Sequence, residues 1–135
     1  MTRKVCKDCG AGPRPAPYPG PRCATHHGEE RKRVKKAAHE RRAAKVYGLG
    51  PGDYDRLYAA QGGVCAICKR ATGTGKRKLA IDHDHSTGHV RGLLCSVDNK
   101  LLGHLRDDPE LAKGIFEYLT NPPAFDVIGK VSPDD

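Results

Sequence analysis

In Leu79-Ala-Ile-Asp82-His83-Asp84-His85-Ser-Thr-Gly88-His-Val90-Arg91-Gly92-Leu-Leu-Cys95, two short apolar runs flank a cluster of ionisable side chains. Residues 79–81 read as a strand, His85 to Gly88 as a turn with glycine supplying a positive φ, and Val90 to Leu94 as the returning strand. From Ser96 a helix is predicted by Val97, Leu101, Leu102 and Leu105. Working outward, Cys65-Ala-Ile-Cys68 precedes this ribbon and Cys95 closes it, which is the spacing of a structural zinc site. Asp82, His83, Asp84 and His85 lie inside the closed loop, and Asn99 follows Cys95 by four residues. Carboxylate and amide oxygens suit magnesium or manganese, and histidine suits a general base. A zinc clip around a separate, catalytic metal site points to a nuclease.

Cutting a phosphodiester needs a nucleophilic water and charge neutralised on the phosphorane-like transition state and on the leaving oxygen. Neighbouring strand residues point to opposite faces, so Asp82 and His83 share one site only if the strand bends into its turn there. Cys95 and Asp98, three apart on a helical turn, share a face and can both reach zinc. Asn99 is rotated by about 100° and can face the hairpin. The rival reading is structural: Asp and His between zinc-spaced cysteines complete a zinc site in a nucleic-acid-binding module without catalysis. Magnesium-dependent plasmid nicking, lost on His83→Ala, separates the two.

Four strings carry a family resemblance: Leu49-(x)4-Tyr54-Asp-Arg-Leu57, Gln61-Gly-Gly-Val-Cys65-Ala-Ile-Cys68, the run from Leu79 through Gly88, Arg91 and Gly92 to Cys95, and Asn99-(x)3-Gly103. From about Tyr47 to about Leu105, under half the chain, they resemble the phage recombination endonuclease VII group of the HNH, or ββα-metal, nucleases. The resemblance implies a small, zinc-stabilised α+β fold with a ββα-metal core and flanking helices. It implies His83 as general base, Asp82 and Asn99 as ligands of a catalytic Mg2+ or Mn2+, and a structural zinc on Cys65, Cys68 and Cys95. His85 contacts the scissile phosphate, orients its neighbours or binds metal, in that order of preference. Branched DNA, including four-way junctions, is the implied substrate, cut by a homodimer with two symmetrical sites; many HNH relatives instead nick duplexes. The cytoplasm of a bacterial host is the implied location, and no small-molecule cofactor is expected. One departure stands out. The family usually has a second Cys-x-x-Cys before the Asn, whereas Cys95-Ser-Val-Asp98 leaves Asp98, His104 or another histidine as fourth ligand, or the site lost.

At 135 residues, 37% hydrophobic, with two Phe and no Trp, the chain supports one ordinary domain or two very small ones with modest cores. Six Cys and seven His supply the metal staples that small domains need. No apolar secretory segment follows Met1 and no run approaches a membrane span, so the cysteines read as reduced metal ligands rather than disulfides. Net charge is +8, and residues 1–47 carry 13 Lys and Arg against 4 Asp and Glu. Residues 48–135 carry 11 against 12, so the excess positive charge lies in the N-terminal third. That third would supply phosphate affinity independent of sequence, and the acidic cluster would supply chemistry.

Cys6-Lys-Asp-Cys9 and Cys23-Ala-Thr-His26 have chelate spacing and flank a Pro- and Gly-rich loop; they read as a Cys3His zinc knuckle over residues 1–28, with His27 as an alternative ligand. Residues 29–47 read as a basic helix with a thin apolar line of Val34, Ala37, Ala38 and Ala44. So narrow a stripe buries little, so the helix lies on nucleic acid or along a dimer partner, or else is a solvated linker. Its candidate phosphate contacts are Arg31, Lys32, Arg33, Lys35, Lys36, Arg41 and Arg42, joined by Lys76, Arg77, Lys78 and Arg91. Residues 48–121 read as the nuclease domain. Gly48 ends the basic helix; Pro51 opens the next, which carries Tyr54, Leu57 and Tyr58 on one face and stops at Gly62-Gly63. Asp107-Asp-Pro-Glu110 starts a last helix whose Leu111, Ile115, Tyr118 and Leu119 are expected to face the core. Residues 122–135 are expected to form an extended or disordered tail.

Overall fold

The computed structural model describes residues 5–10, 14–16, 20–74 and 77–133. The protein is a small α+β chain with one two-stranded sheet and helices, in two compact units, Met1–Arg56 and Leu57–Asp135. Among the described residues no helix is long and apolar enough to cross a membrane.

In the first unit, helix α1 spans Ala24–Tyr47. It begins at Ala24 rather than at Glu29, because Cys23 is its extended N-cap residue (φ −72°, ψ 169°). The Cys23-Ala-Thr-His26 pair therefore straddles the helix start, with His26 in the first turn. Little of α1 is buried. Val34, Ala38 and Ala44 are exposed, Ala43 is buried, and His39 meets Tyr54 edge-on with ring centroids 4.6 Å apart. Gly48 ends the helix in the left-handed region (φ 71°), where its N–H reaches back to the last turn. Helix α2, Asp53–Ala60, starts two residues beyond Pro51: the Asp53 carboxylate accepts the Gly50 N–H at 2.7 Å, so Pro51 lies in the capping turn.

In the second unit, Gly62 and Gly63, both at φ 71°, lie in the turn after α2. Strands β1 (Ala80–His83) and β2 (Val90–Leu94) form an antiparallel hairpin, followed by α3 (Ser96–His104), which packs on both strands. The register pairs Ala80 with Leu94, Ile81 with Leu93 and Asp82 with Gly92, then shifts so that His83 faces Val90. Arg91 is the extra residue of that bulge. The core consists of Cys65, Leu79, Leu93, Leu94 and Leu105. Four buried leucines contribute about 2 kcal/mol each, too little to order this unit without a staple.

Helix α4, Pro109–Thr120, corrects one expectation. Leu111, Ile115, Tyr118 and Leu119 do not face the core: all four are exposed, Leu119 to 71%, and Phe116 joins them. It is α3 that packs on the hairpin, and the Cys65–Cys68 turn bonds to Leu93. Beyond α4 the expected tail contains a short helix, α5 (Ala124–Val127).

Candidate functional site

Each unit carries one cysteine cluster. In the first, His26 Nδ1 lies 3.2 Å from Cys6 Sγ, 3.5 Å from Cys9 Sγ and 3.4 Å from Cys23 Sγ. His26, not His27, completes this group. Burial opposes ionisation of Cys6, but the backbone N–H groups of Cys23 and Asp8, with His26 and Cys23 beside it, outweigh burial and bring the thiol down to about 6. In the second cluster Asp98 Oδ2 lies 3.0 Å from Cys65 Sγ and 3.2 Å from Cys95 Sγ, and Cys68 belongs to the same group. Within each cluster the four donor atoms all lie within 4.8 Å of one another. Cys95 is the N-cap of α3, and its sulfur accepts the Asp98 N–H, so the helix start itself shapes the second cluster. Backbone N–H groups of Ala71 and Arg70 favour the Cys68 thiolate. Three thiols converging on a buried carboxylate, like three thiols on an imidazole, are donor sets that could hold zinc ions.

The cleft beside the hairpin is built differently. Gln61 docks β2 in place of a third strand: its Oε1 accepts the Leu93 N–H at 2.8 Å and its Nε2 donates to Leu93 O at 2.9 Å. The Ala66 N–H adds a bond to the same carbonyl, which ties the Cys65–Cys68 turn to the strand. Gly92 permits this approach, since a side-chain carbon there would lie 3.2 Å from Gln61 Oε1. The bulge extrudes Arg91 from β2 opposite Asp82 and His83. Asp82 is 7% exposed and takes both ends of the Arg91 guanidinium, Nε at 2.7 Å and Nη2 at 3.0 Å. His83, half-buried on the next residue, has its ring centroid 4.8 Å from that of the exposed His85. Asp84 serves the turn: its carboxylate accepts the Ser86 hydroxyl and the N–H groups of Ser86 and Thr87, which holds it well below the usual carboxylate range. Asn99 is half-buried on the first turn of α3, one position past Asp98. A cleft of about 300 Å³, with Asp82 and Arg91 in its lining and Ile67, Leu94 and Leu102 as apolar walls, opens beside the bulge.

A buried carboxylate, two histidines and an arginine gathered at a strand bulge, next to a cysteine cluster, suit hydrolysis of a phosphate ester. The model of the recombination endonuclease VII family matches residues 40–121. The chain belongs to that family. Its relatives include the Gene 59 proteins of Mycobacterium phage L5, 51% identical, and Mycobacterium phage D29, 49% identical, each over an alignment 133 residues long that covers 95% of this chain and 80% of the relative. Their names state no activity. No solved structure matches the chain. Membership of the endonuclease VII family implies a nuclease, and DNA as its partner.

The basic residues of α1 are where charge counting expects them. Arg31, Lys32, Arg33, Lys35, Lys36, Arg41 and Arg42 are all exposed. Two of them are already paired, Arg33 with Glu30 at 2.6 Å and Lys36 with Asp55 at 3.1 Å. Arg77 and Lys78 are exposed, and Lys76 lies outside the described residues. Arg91 is engaged by Asp82 and Asp107 rather than extended into solvent, and those carboxylates keep it firmly protonated. Sequence reasoning missed Gln61 and Asp107. The signal for Gln61 is a polar side chain just before a Gly-Gly stop, where it can reach an unpaired strand. For Asp107 it is a pair of consecutive aspartates at one helix start, where a single cap suffices.

Proposed function

We propose that this protein is a metal-dependent DNA endonuclease with a ββα-metal core, in which His83 is the general base and Asp82 and Asn99 hold a catalytic Mg2+ or Mn2+. The observation that carries this reading is the register shift between Asp82 and His83. Arg91 is extruded there, and its guanidinium spans Asp82 and Asp107, while Asp107 bonds His85 beside His83, which links the carboxylate to the histidine pair. The donor chemistry fits the metal: a carboxylate and an amide oxygen are hard ligands of the kind that would hold Mg2+ or Mn2+. When bound, the cation neutralises charge on the phosphate and leaving oxygens. His83 takes the proton of the attacking water, His85 contacts the scissile phosphate, and the apolar cleft walls limit the water around it.

The cysteine clusters serve structure in this reading. Cys6, Cys9, Cys23 and His26 hold one zinc, and Cys65, Cys68, Cys95 and Asp98 hold another, so metal analysis should find about two zinc per chain. Carboxylate is an accepted zinc ligand, and Asp98 lies three residues past Cys95 on the same helical turn. Asp98→Cys is therefore expected to keep zinc and stability. Asp98→Ala is expected to lose zinc from the second cluster, read by metal content and thermal melting. Equal zinc content in wild type and Asp98→Ala would show that Asp98 is no ligand.

The knuckle (1–28) and basic helix (29–47) bring DNA to the nuclease domain (48–121). Branched DNA is the substrate that the family name favours, because recombination produces junctions. The uncovered apolar face of α4 favours a homodimer, which would place two active sites on one junction, in the cytoplasm of a phage-infected host. Comparing cleavage of a four-way junction with that of a linear duplex tests the substrate. Neutralising Arg31, Lys32, Lys35, Arg41 and Arg42 together is expected to weaken DNA binding and to flatten its salt dependence. The slope should fall by about 0.9 of a log–log unit for each phosphate that the helix no longer neutralises. Titrations at several salt concentrations check this; an unchanged slope would make α1 a strut instead.

A further inference from the structure

Asp107 stands in the turn between α3 and α4, and both of its oxygens are committed. Oδ2 is 2.7 Å from His85 Nδ1, and Oδ1 is 2.8 Å from Arg91 Nη2. That same Nη2 lies 3.0 Å from Asp82 Oδ1, so one guanidinium bridges two carboxylates. The backbone that delivers Asp107 is strained. After α3, Arg106 (φ 53°) and Asp107 (φ 57°) are both left-handed without being glycine. The Arg106 N–H reaches Gly103 O and the Asp107 N–H reaches Leu102 O, each at 3.1 Å, a helix-ending turn that usually places glycine where Arg106 stands. Left-handed backbone is unfavourable for a residue with a Cβ, and such strain gathers where side chains must be held for function.

We propose that Asp107 is a positioning residue of the cleavage site, fixing His85 in its Nδ1–H tautomer and anchoring Arg91 beside Asp82. The proposal rests on the cleavage reading above. An ionised carboxylate only accepts hydrogen bonds, so Nδ1 of His85 carries the hydrogen and Nε2 is left to meet the phosphodiester. For Arg91 the second carboxylate matters when a cation competes for Asp82. A guanidinium held by Asp82 alone would be released at that moment; held also by Asp107, it stays beside the phosphate. The pattern is that of an outer carboxylate orienting groups that touch the substrate.

Asp107→Gly is the decisive variant, because glycine accepts φ 57° without strain and the turn survives. In the zinc-loaded full chain, nitrogen NMR of the imidazoles reads the tautomer without any turnover. Wild type should hold His85 as Nδ1–H, and Asp107→Gly should shift it towards Nε2–H. Cleavage of a junction substrate should then fall by about 10–100-fold in kcat with DNA affinity unchanged, and Asp107→Glu should recover part of the loss. In a chain already carrying His85→Ala and Arg91→Ala, adding Asp107→Gly should cost nothing more. A wild-type His85 in the Nε2–H form, or an unchanged kcat in Asp107→Gly, overturns the proposal. A wild type that cuts no DNA overturns it together with the cleavage reading, and that case is recognised by a tautomer that is still Nδ1–H.

Discussion

Stripping zinc from the full chain is expected to unfold the hairpin unit. Cys65, Cys68, Cys95 and Asp98 join the turn after α2 to the start of α3, with the hairpin between them. The buried leucines are Leu79, Leu93, Leu94 and Leu105, and the large apolar residues of α4 lie outside the core. Structural zinc in small domains contributes roughly 10–16 kcal/mol at neutral pH, more than the whole stability of most domains. A strong chelator should therefore abolish amide protection in β1, β2 and α3, and added zinc should restore it where magnesium does not. Protection that survived complete zinc removal would mean that the second cluster is not a staple.

His83→Ala is expected to reduce turnover by about 10²–10⁴-fold, the usual contribution of a general base, while DNA affinity stays near that of wild type. The base acts on water and holds little of the substrate, so kcat should fall and KM should not rise. Asn99→Ala should lose turnover too, but with partial recovery at high magnesium if its role is metal affinity. Stopped-time cleavage paired with binding in calcium separates these variants. Loss of DNA binding in His83→Ala would contradict the division between a basic arm that binds and a hairpin that cuts.

Much of this arrangement is legible in the residues. Cysteine spacing picks out both clusters, since chelation fixes how far apart ligands can stand, and it marks Asp98 as sharing a helical face with Cys95. Alternation marks both strands. The irregularity opposite Asp82 and His83 is not legible: Arg91 emerges as the extruded residue only from the pairing of His83 with Val90. The feature that sequence misleads on is α4. Its apolar stripe has a helical period, but periodicity says that a face is apolar and not what covers it, and here no described element does. The start of α1 lies earlier than composition suggests because Cys23 is an uncommon N-cap, without the side-chain oxygen that usually signals one. Asp107 is masked in sequence by Asp108, whose carboxylate accepts the Glu110 N–H and which is the cap that the local pattern requires. Asp107 is drawn to Arg91 and His85 by contacts far away in sequence, which no local pattern records.

The most direct test of the central claim is nicking of supercoiled plasmid by the purified, zinc-loaded chain. Conversion to open circle with added magnesium, none in its absence, and none with His83→Ala of equal zinc content and equal DNA affinity is the predicted result. Cleavage that persists undiminished in His83→Ala would contradict the account.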